Sequence, residues 1–226
     1  RRGAAVIAVL ALFAGNLVSR HGWVLGHFWS LSAEEQFYLL WPAVLLLAGR
    51  RRSAWAAAAV WLLSPFWFML FWHAGLPLLG TWFVDEQFIA AGCLLALLHG
   101  RLHQQGWYRL ALTPRGAAVV LAAVVGLTAV ARDTGGGHAA RLAMMLLALA
   151  LVVMVDAAMT APAWGRVLDW PPLAWLGTLS YSLYVWQQLF LQPNGGRMLP
   201  APWNVLAALA AACLSYYGWE RHFLRL

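Results

Sequence analysis

The chain has 226 residues, of which 63% are hydrophobic and 10% are charged, and its mean hydropathy is +0.69. Soluble domains carry about 25% charged residues, so this composition excludes an ordinary soluble protein and predicts one that lies in lipid. The net charge of +7 comes from arginine, because the chain contains no lysine. Cys93 and Cys213 lie far apart within apolar segments and suggest neither a disulfide framework nor a zinc site.

Eight apolar segments follow one another along the chain, each close to the roughly 20 residues that a membrane-spanning helix needs. Arginine, glycine and proline separate them, so the intervening stretches are predicted to be loops between helices. None shows the sustained alternation of a barrel strand. The predicted fold is an all-α, polytopic transmembrane helix bundle that forms one domain over 1–226. The segments lie at about 3–19, 33–49, 53–72, 84–100, 114–131, 139–158, 173–192 and 203–219.

The arginines predict the orientation of this bundle. When the loops are assigned alternately to the two sides of the membrane, eleven arginines fall on one side and four on the other. Loops rich in arginine stay in the cytoplasm, so both ends of the chain are predicted to be cytoplasmic. The same distribution explains the basic charge without nucleic-acid binding.

Carboxylates lie where hydropathy alone would not place them. Within 27–42, Glu34 and Glu35 fall at the predicted outer end of the second segment. Ionisable groups at such a depth are costly unless they are paired or functional. On a helix, Glu34 would share an inward face with Tyr38 and Trp41, and Glu35 would lie about 100° around from it.

Two interpretations of these carboxylates stay open. In the first, Ser30 or Ser32 caps the helix and the glutamates interact favourably with its dipole, as in a capping box. In the second, the carboxylates belong to a functional site that faces the interior of the bundle.

Further polar residues lie in later segments. Asp156 is an isolated acid in the sixth segment, either functional or simply reaching the interface. Histidines at segment ends are predicted to be interfacial; these are His73, His99, His103 and His138. A stripe about 120° wide on the seventh segment is predicted to face the interior, either as helix-to-helix contacts or as the lining of a substrate cavity. It comprises Ser180, Tyr181, Tyr184, Gln187 and Gln188.

The run HFWSLSAEEQFYLLWP at 27–42 resembles the W-S-L-x-x-E-x-Q-F-Y signature of acyltransferase family 3. Weaker matches follow in the order expected of the family: Asp85 with Gly92, LGTLSYSLYVWQ at 176–187, and Glu220 with Arg221. The resemblance covers 27–226. Within the first run, the matching residues are His27, Trp29, Ser30, Leu31, Glu34, Gln36, Phe37 and Tyr38.

The resemblance implies a membrane O-acyltransferase of the bacterial inner membrane. Such a protein would transfer an acyl group, expected to be acetyl, from acyl-coenzyme A to a hydroxyl of a cell-surface carbohydrate or glycan precursor. It implies about ten helices and a catalytic histidine on the first, so this chain is interpreted as lacking its N-terminal helices. No bound cofactor and no metal are expected. The resemblance and the polar stripe together give Glu34 and His27 as catalytic residues, and Trp29, Ser30, Glu35, Gln36, Tyr38, Asp85, Ser180, Tyr181, Tyr184 and Gln187 as substrate-binding residues.

Two positions depart from the family pattern. Gln187 stands where the family has histidine, and His222 stands where it has proline. The arginines at 50–52 could bind coenzyme A phosphates, although positive-inside topology also explains them. The alternative function is a transporter or flippase for a sugar or lipid-linked substrate. The sequence shows neither the internal repeat nor the paired broken helices typical of that class.

Overall fold

A computed structural model describes residues 28–133, 137–191 and 199–224. All regular elements in these ranges are helical, which confirms the predicted all-α fold. The first predicted segment, 3–19, lies outside the described residues. In chain order the elements are α1 (Phe28–His73), α2 (Pro77–Leu102), α3 (Gly106–Ala111), α4 (Pro114–Asp133), α5 (His138–Thr160), α6 (Pro162–Leu168), α7 (Pro171–Thr178), α8 (Ser180–Phe190), α9 (Trp203–Ser215), a π-helix (Tyr216–Glu220) and α10 (Arg221–Phe223).

The long helix α1 bends sharply at Gly49, which has φ 72° and ψ 164°. Glycine suits this backbone because it has no Cβ to clash at positive φ. The Ser53 hydroxyl donates to the carbonyl of Gly49 at 3.0 Å and to that of Val44 at 3.2 Å. Residues nine apart would be about 13 Å apart along a straight helix, so the second arm of α1 folds back beside the first. The two predicted segments 33–49 and 53–72 are therefore confirmed as two arms.

Three of the described helical stretches are long and apolar enough to cross a membrane: Ser30–His73, Pro114–Asp133 and His138–Thr160. The first of these stretches consists of the two arms of α1, so the chain crosses the membrane several times and is a multi-pass membrane protein. Large aliphatic side chains such as Leu46 and Leu47 point outward, whereas small residues such as Ala57 and Ala148 are fully buried. Small residues at helix interfaces allow close backbone approach, which is how helices associate in lipid.

The predicted seventh segment is not one helix. It divides into α7 and α8 at Leu179, and neither piece is long enough to cross a membrane alone. The predicted eighth segment continues beyond α9 as a π-helix, whose wider turn carries Glu220. The predicted fourth segment, 84–100, is a helix that begins earlier, at Pro77.

The helices associate mainly as pairs. Helix α1 packs on α2, α4 packs on α5, and α8 packs on α9, while α5 also contacts α1 and α2. A compact apolar cluster lies where α3, α4 and α5 meet, formed by Tyr108, Leu112, Ala117 and Ala157. This cluster fixes the short helix α3 against the ends of α2 and α5, where a polar group described below is assembled.

Candidate active site

The start of α1 is hydrogen-bonded to α8, so two segments of the recognised motif meet. The hydroxyls of Ser30 and Tyr184 form this bond although they are 154 residues apart in sequence. Both residues were predicted to bind substrate from separate parts of the chain. The structure brings them together at one end of the described bundle.

The positions of Ser30 and Ser32 exclude one of the two interpretations of the α1 carboxylates, and a functional role for these carboxylates stays a prediction. Ser30 and Ser32 lie within α1, and its first turn contains no acidic residue. A capping box needs the serine at the helix boundary and the glutamate three residues later, so that interpretation is wrong. Ser30 instead bonds Tyr184, and Ser32 is completely buried.

The inward face of α1 differs from the predicted one. Ala33 and Phe37 are buried, and Phe37 stacks on Trp41 with ring centroids 5.3 Å apart. Tyr38 is 61% exposed and Glu34 is half-buried, so the prediction that they share an inward face is wrong for Tyr38.

Glu35 has one carboxylate oxygen, Oε2, that is buried without a hydrogen-bond partner in the described part of the chain. A buried acceptor left unsatisfied costs roughly 1–3 kcal/mol, more when it is charged. Such an oxygen is available to accept a hydrogen bond from a bound hydroxyl.

A third segment with a family match, at the C-terminal π-helix, is joined to the first two through α8. The hydroxyl of Ser182, a buried residue, donates to Glu220 Oε2 at 2.5 Å. The indole of Trp175 donates to the Tyr217 hydroxyl at 3.0 Å. The π-helix is thereby held against α7 and α8, so the matches near 30, 180 and 220 are physically connected.

The predicted stripe on α8 is only partly inward. Ser180 and Tyr181 are exposed, so the expectation that the whole stripe faces the interior is wrong for them. Gln187 is half-buried, as is Tyr184. The buried polar residue of this helix is Ser182, which the stripe did not include because it points to the opposite side of α8.

Three predicted residues cannot be compared with the structure. His27 lies outside the described residues, and the side chains of Trp29 and Asp85 are likewise outside the described part. Gln36, which was also predicted to bind substrate, is half-buried on α1.

Next to Asp85, α2 carries two buried polar residues that the sequence analysis missed. Glu86 is 0% exposed, and Gln87 accepts a hydrogen bond from Ser64 at 2.8 Å. A fully buried carboxyl group is retained where its partners or its function offset the cost of burial. The run of three polar residues at 85–87 within an apolar helix was the available signal.

A second polar group lies at the other end of α2 and α5. Asp156 is 2% exposed and accepts a hydrogen bond of 2.6 Å from the Tyr108 hydroxyl. His103 Nε2 lies 2.9 Å from Asp156 Oδ2, and His99 Nε2 lies 3.5 Å from Oδ1. The prediction of an isolated acid is therefore wrong. The prediction that these two histidines lie at the membrane interface stays a prediction, and the structure adds that both approach Asp156.

The electrostatics of this group keep Tyr108 in its phenol form. Burial raises the pKa of Tyr108 well above its usual range, and the hydrogen bond and negative charge of Asp156 raise that pKa further. The phenol thus remains a donor to the carboxylate at any physiological pH.

A comparison with known protein families identifies the family of this chain. The family model described as an acyltransferase domain matches residues 4–219. The chain belongs to acyltransferase family 3. This confirms the resemblance and extends it through the first predicted segment, which carries no signature of its own.

Two curated relatives are similar to the chain over most of its length. A candidate peptidoglycan O-acetyltransferase of Bacillus subtilis, YrhL, is 26% identical over 87% of this chain and 34% of its own length. The peptidoglycan O-acetyltransferase OatA of Listeria monocytogenes is 27% identical over 72% of this chain and 28% of its own length. The chain thus spans about a third of the length of these relatives. No solved structure matches it significantly.

Proposed function

We propose that this chain transfers an acetyl group from acyl-coenzyme A to a hydroxyl of a cell-wall carbohydrate. The observation that carries the proposal is the joining of three motif segments by the Ser30–Tyr184 and Ser182–Glu220 hydrogen bonds. The relatives named as peptidoglycan O-acetyltransferases support a cell-wall glycan as the acceptor.

The reaction needs a base, an orienting group and a site for the donor. The acceptor hydroxyl oxygen attacks the thioester carbonyl and loses its proton to the base, after which the C–S bond of the tetrahedral intermediate breaks and coenzyme A leaves as the thiol. The family resemblance implies that the base is a histidine on the family's first helix. Within this chain, Glu34 is the candidate for orienting that base or the sugar, and His27 is a candidate for binding or proton handling. The unsatisfied oxygen of Glu35 supports a role in accepting a hydrogen bond from the sugar.

Two adjoining cavities support a donor site. One, of about 610 Å³, is lined by Arg50, Arg51 and Arg101. The other, of about 750 Å³, shares Arg50 with it, has mainly apolar walls and includes Gly92 of the family pattern. Arginine pairs well with phosphate oxygens, and an apolar cavity suits the pantetheine and acyl part of the donor.

The arginine distribution supports placing the chain in a bacterial inner membrane with both ends in the cytoplasm. In that orientation the arginine-lined cavity faces the compartment that supplies acyl-coenzyme A. The start of α1, with Ser30 and Glu34, then lies at the opposite, outer end, where a cell-wall acceptor is found, whereas Glu220 follows the last predicted segment and lies toward the cytoplasmic side.

The test compares Glu34→Gln and Glu35→Gln with the unchanged protein in membranes supplied with labelled acetyl-coenzyme A and glycan acceptor. Both substitutions keep the size of the side chain and remove its charge. The control is Asp169→Asn, at an exposed carboxylate next to α6. The proposal expects transfer to fall at least tenfold in both glutamate variants and to stay unchanged in the control, at equal protein levels. Full transfer in both would remove these carboxylates from the site.

A further inference from the structure

The group at the ends of α2 and α5 has the composition of a metal site. The possible ligand atoms of His99, His103 and Asp156 all lie within 4.8 Å of one another. His99 lies in the last turn of α2 and His103 directly follows its end with a helical backbone, so the two rings are neighbours with centroids 4.1 Å apart. Both Nε2 atoms approach the same carboxylate, at 3.5 and 2.9 Å.

These distances suit a shared ion. Zinc binds imidazole nitrogen and carboxylate oxygen at about 2.0–2.2 Å, so its tetrahedral ligand atoms are roughly 3.3–3.5 Å from one another. The distances here run to the two different oxygens of the carboxylate, 3.5 Å from His99 Nε2 to Oδ1 and 2.9 Å from His103 Nε2 to Oδ2. All possible ligand atoms lie within 4.8 Å of one another, so small side-chain movements bring them to these values. We propose that His99, His103 and Asp156 bind a divalent transition-metal ion of the zinc type.

Tyr108 supplies the outer support that such sites use. Its hydroxyl donates to Asp156 Oδ2 at 2.6 Å, and its ring is fixed in the apolar cluster with Leu112 and Ala157. Groups that hydrogen-bond to a ligating carboxylate fix its orientation and raise metal affinity. Through this hydrogen bond Tyr108 acts as that outer partner and leaves the ion to the histidines and the aspartate.

The larger cavity gives the site an entrance. His99 and Asp156 form part of the wall of the 750 Å³ cavity, together with Arg50. Three protein ligands leave a fourth position of a tetrahedral ion open, and here that position faces the cavity. The nearby arginine favours an anionic group at that position. Two imidazoles and one carboxylate suit zinc or a neighbouring transition metal better than magnesium or calcium, which prefer all-oxygen sites.

A plain hydrogen-bonded cluster is the competing interpretation, and it makes a different prediction. In that arrangement His103 and Tyr108 satisfy Asp156, and the half-exposed His99 contributes little. Metal binding requires both histidines equally.

The experiment measures metal binding by the purified protein in detergent, without donor or acceptor. The protein is stripped with chelator and titrated with Co²⁺, whose visible absorption reports coordination, and Zn²⁺ content is then measured after dialysis. The variants are His99→Ala, His103→Ala and Tyr108→Phe. His73→Ala is the control, because His73 is an exposed histidine at the far end of α1.

The proposal expects one equivalent of metal in the unchanged protein and in His73→Ala. It expects at least a hundredfold weaker binding in both cluster histidine variants, and about a tenfold to hundredfold weaker binding in Tyr108→Phe, which keeps its ring and its packing. Absence of stoichiometric binding in the unchanged protein would overturn the proposal. So would equal binding by His99→Ala and the control. Because the readout is metal content, its failure leaves the acetyl-transfer proposal standing, and the reverse also holds.

Discussion

The hydrogen bond from Ser182 to Glu220 is expected to hold α8 against the π-helix, and Ser182→Ala removes it. The serine is 1% exposed and the donor-to-acceptor distance is 2.5 Å. Hydrogen bonds to charged groups contribute about 1.5–3 kcal/mol, whereas those measured between membrane helices reach about 1.7 kcal/mol at most. Since Glu220 is only half-buried, we expect a loss of about 1.5 kcal/mol, or roughly a tenfold fall in the ratio of folded to unfolded protein.

The assay is reversible unfolding in mixed micelles with increasing denaturing detergent, which gives the free energy of unfolding. Ser180→Ala is the matched control, because it makes the same chemical change two residues away on an exposed part of α8. The double variant Ser182→Ala with Glu220→Ala tests the pair directly, since two changes that remove one interaction should not add. Equal stability of the Ser182→Ala and Ser180→Ala proteins would refute the reasoning.

Three further predictions concern other parts of the bundle. Ser30→Ala and Tyr184→Phe each remove the hydrogen bond between α1 and α8. Each should therefore lower the free energy of unfolding by about 1 kcal/mol and reduce acetyl transfer. The double variant should lose no more unfolding free energy than either single variant. Gly49→Ala should cost about 1–2 kcal/mol of unfolding free energy because its φ is 72°, where a Cβ clashes with the local backbone. Other residues add nothing to this cost, since open space surrounds the added Cβ, and a neutral result would mean that the bend does not depend on glycine. Arg50→Gln should raise the KM for acetyl-coenzyme A about tenfold with little change in kcat. The control Arg132→Gln, at the end of α4, should leave both constants unchanged. Equal kinetics in the two variants would remove Arg50 from the donor site.

The helices themselves were predictable, because a run of about 20 apolar residues has few alternatives to a membrane helix. The bend in α1 was also visible in outline, since three arginines at 50–52 interrupt the apolar pattern beside Gly49. The break at Leu179 was not visible. The stretch around it contains no proline or charge, and although Gly177 and Thr178 are weak helix formers, the apolar pattern runs through them without interruption.

The buried faces were harder to predict than the helices. In water an apolar face marks the core, but in lipid both the outside and the interior of a bundle are apolar. Ala33 and Ala57 face neighbouring helices while Leu46 and Leu47 face outward, so residue size is the better guide. The choice of Tyr38 as an inward residue failed for this reason.

The group around Asp156 was missed because its members are distant in sequence. His103 and Tyr108 lie 53 and 48 residues away from the aspartate. The spacing of His99 and His103 by four residues was a usable signal, since it places two imidazoles on one helix face. A carboxylate to complete the set could come only from the packing of α5 on α2.

The most direct measurement of the central proposal is acetyl transfer by the purified protein reconstituted into lipid vesicles with labelled acetyl-coenzyme A and a cell-wall glycan. We expect label on the glycan as an alkali-labile ester, one free coenzyme A thiol for each ester formed, and no reaction when the donor is omitted. Movement of the glycan across the vesicle membrane without ester formation or thiol release would contradict the proposal and favour a transporter.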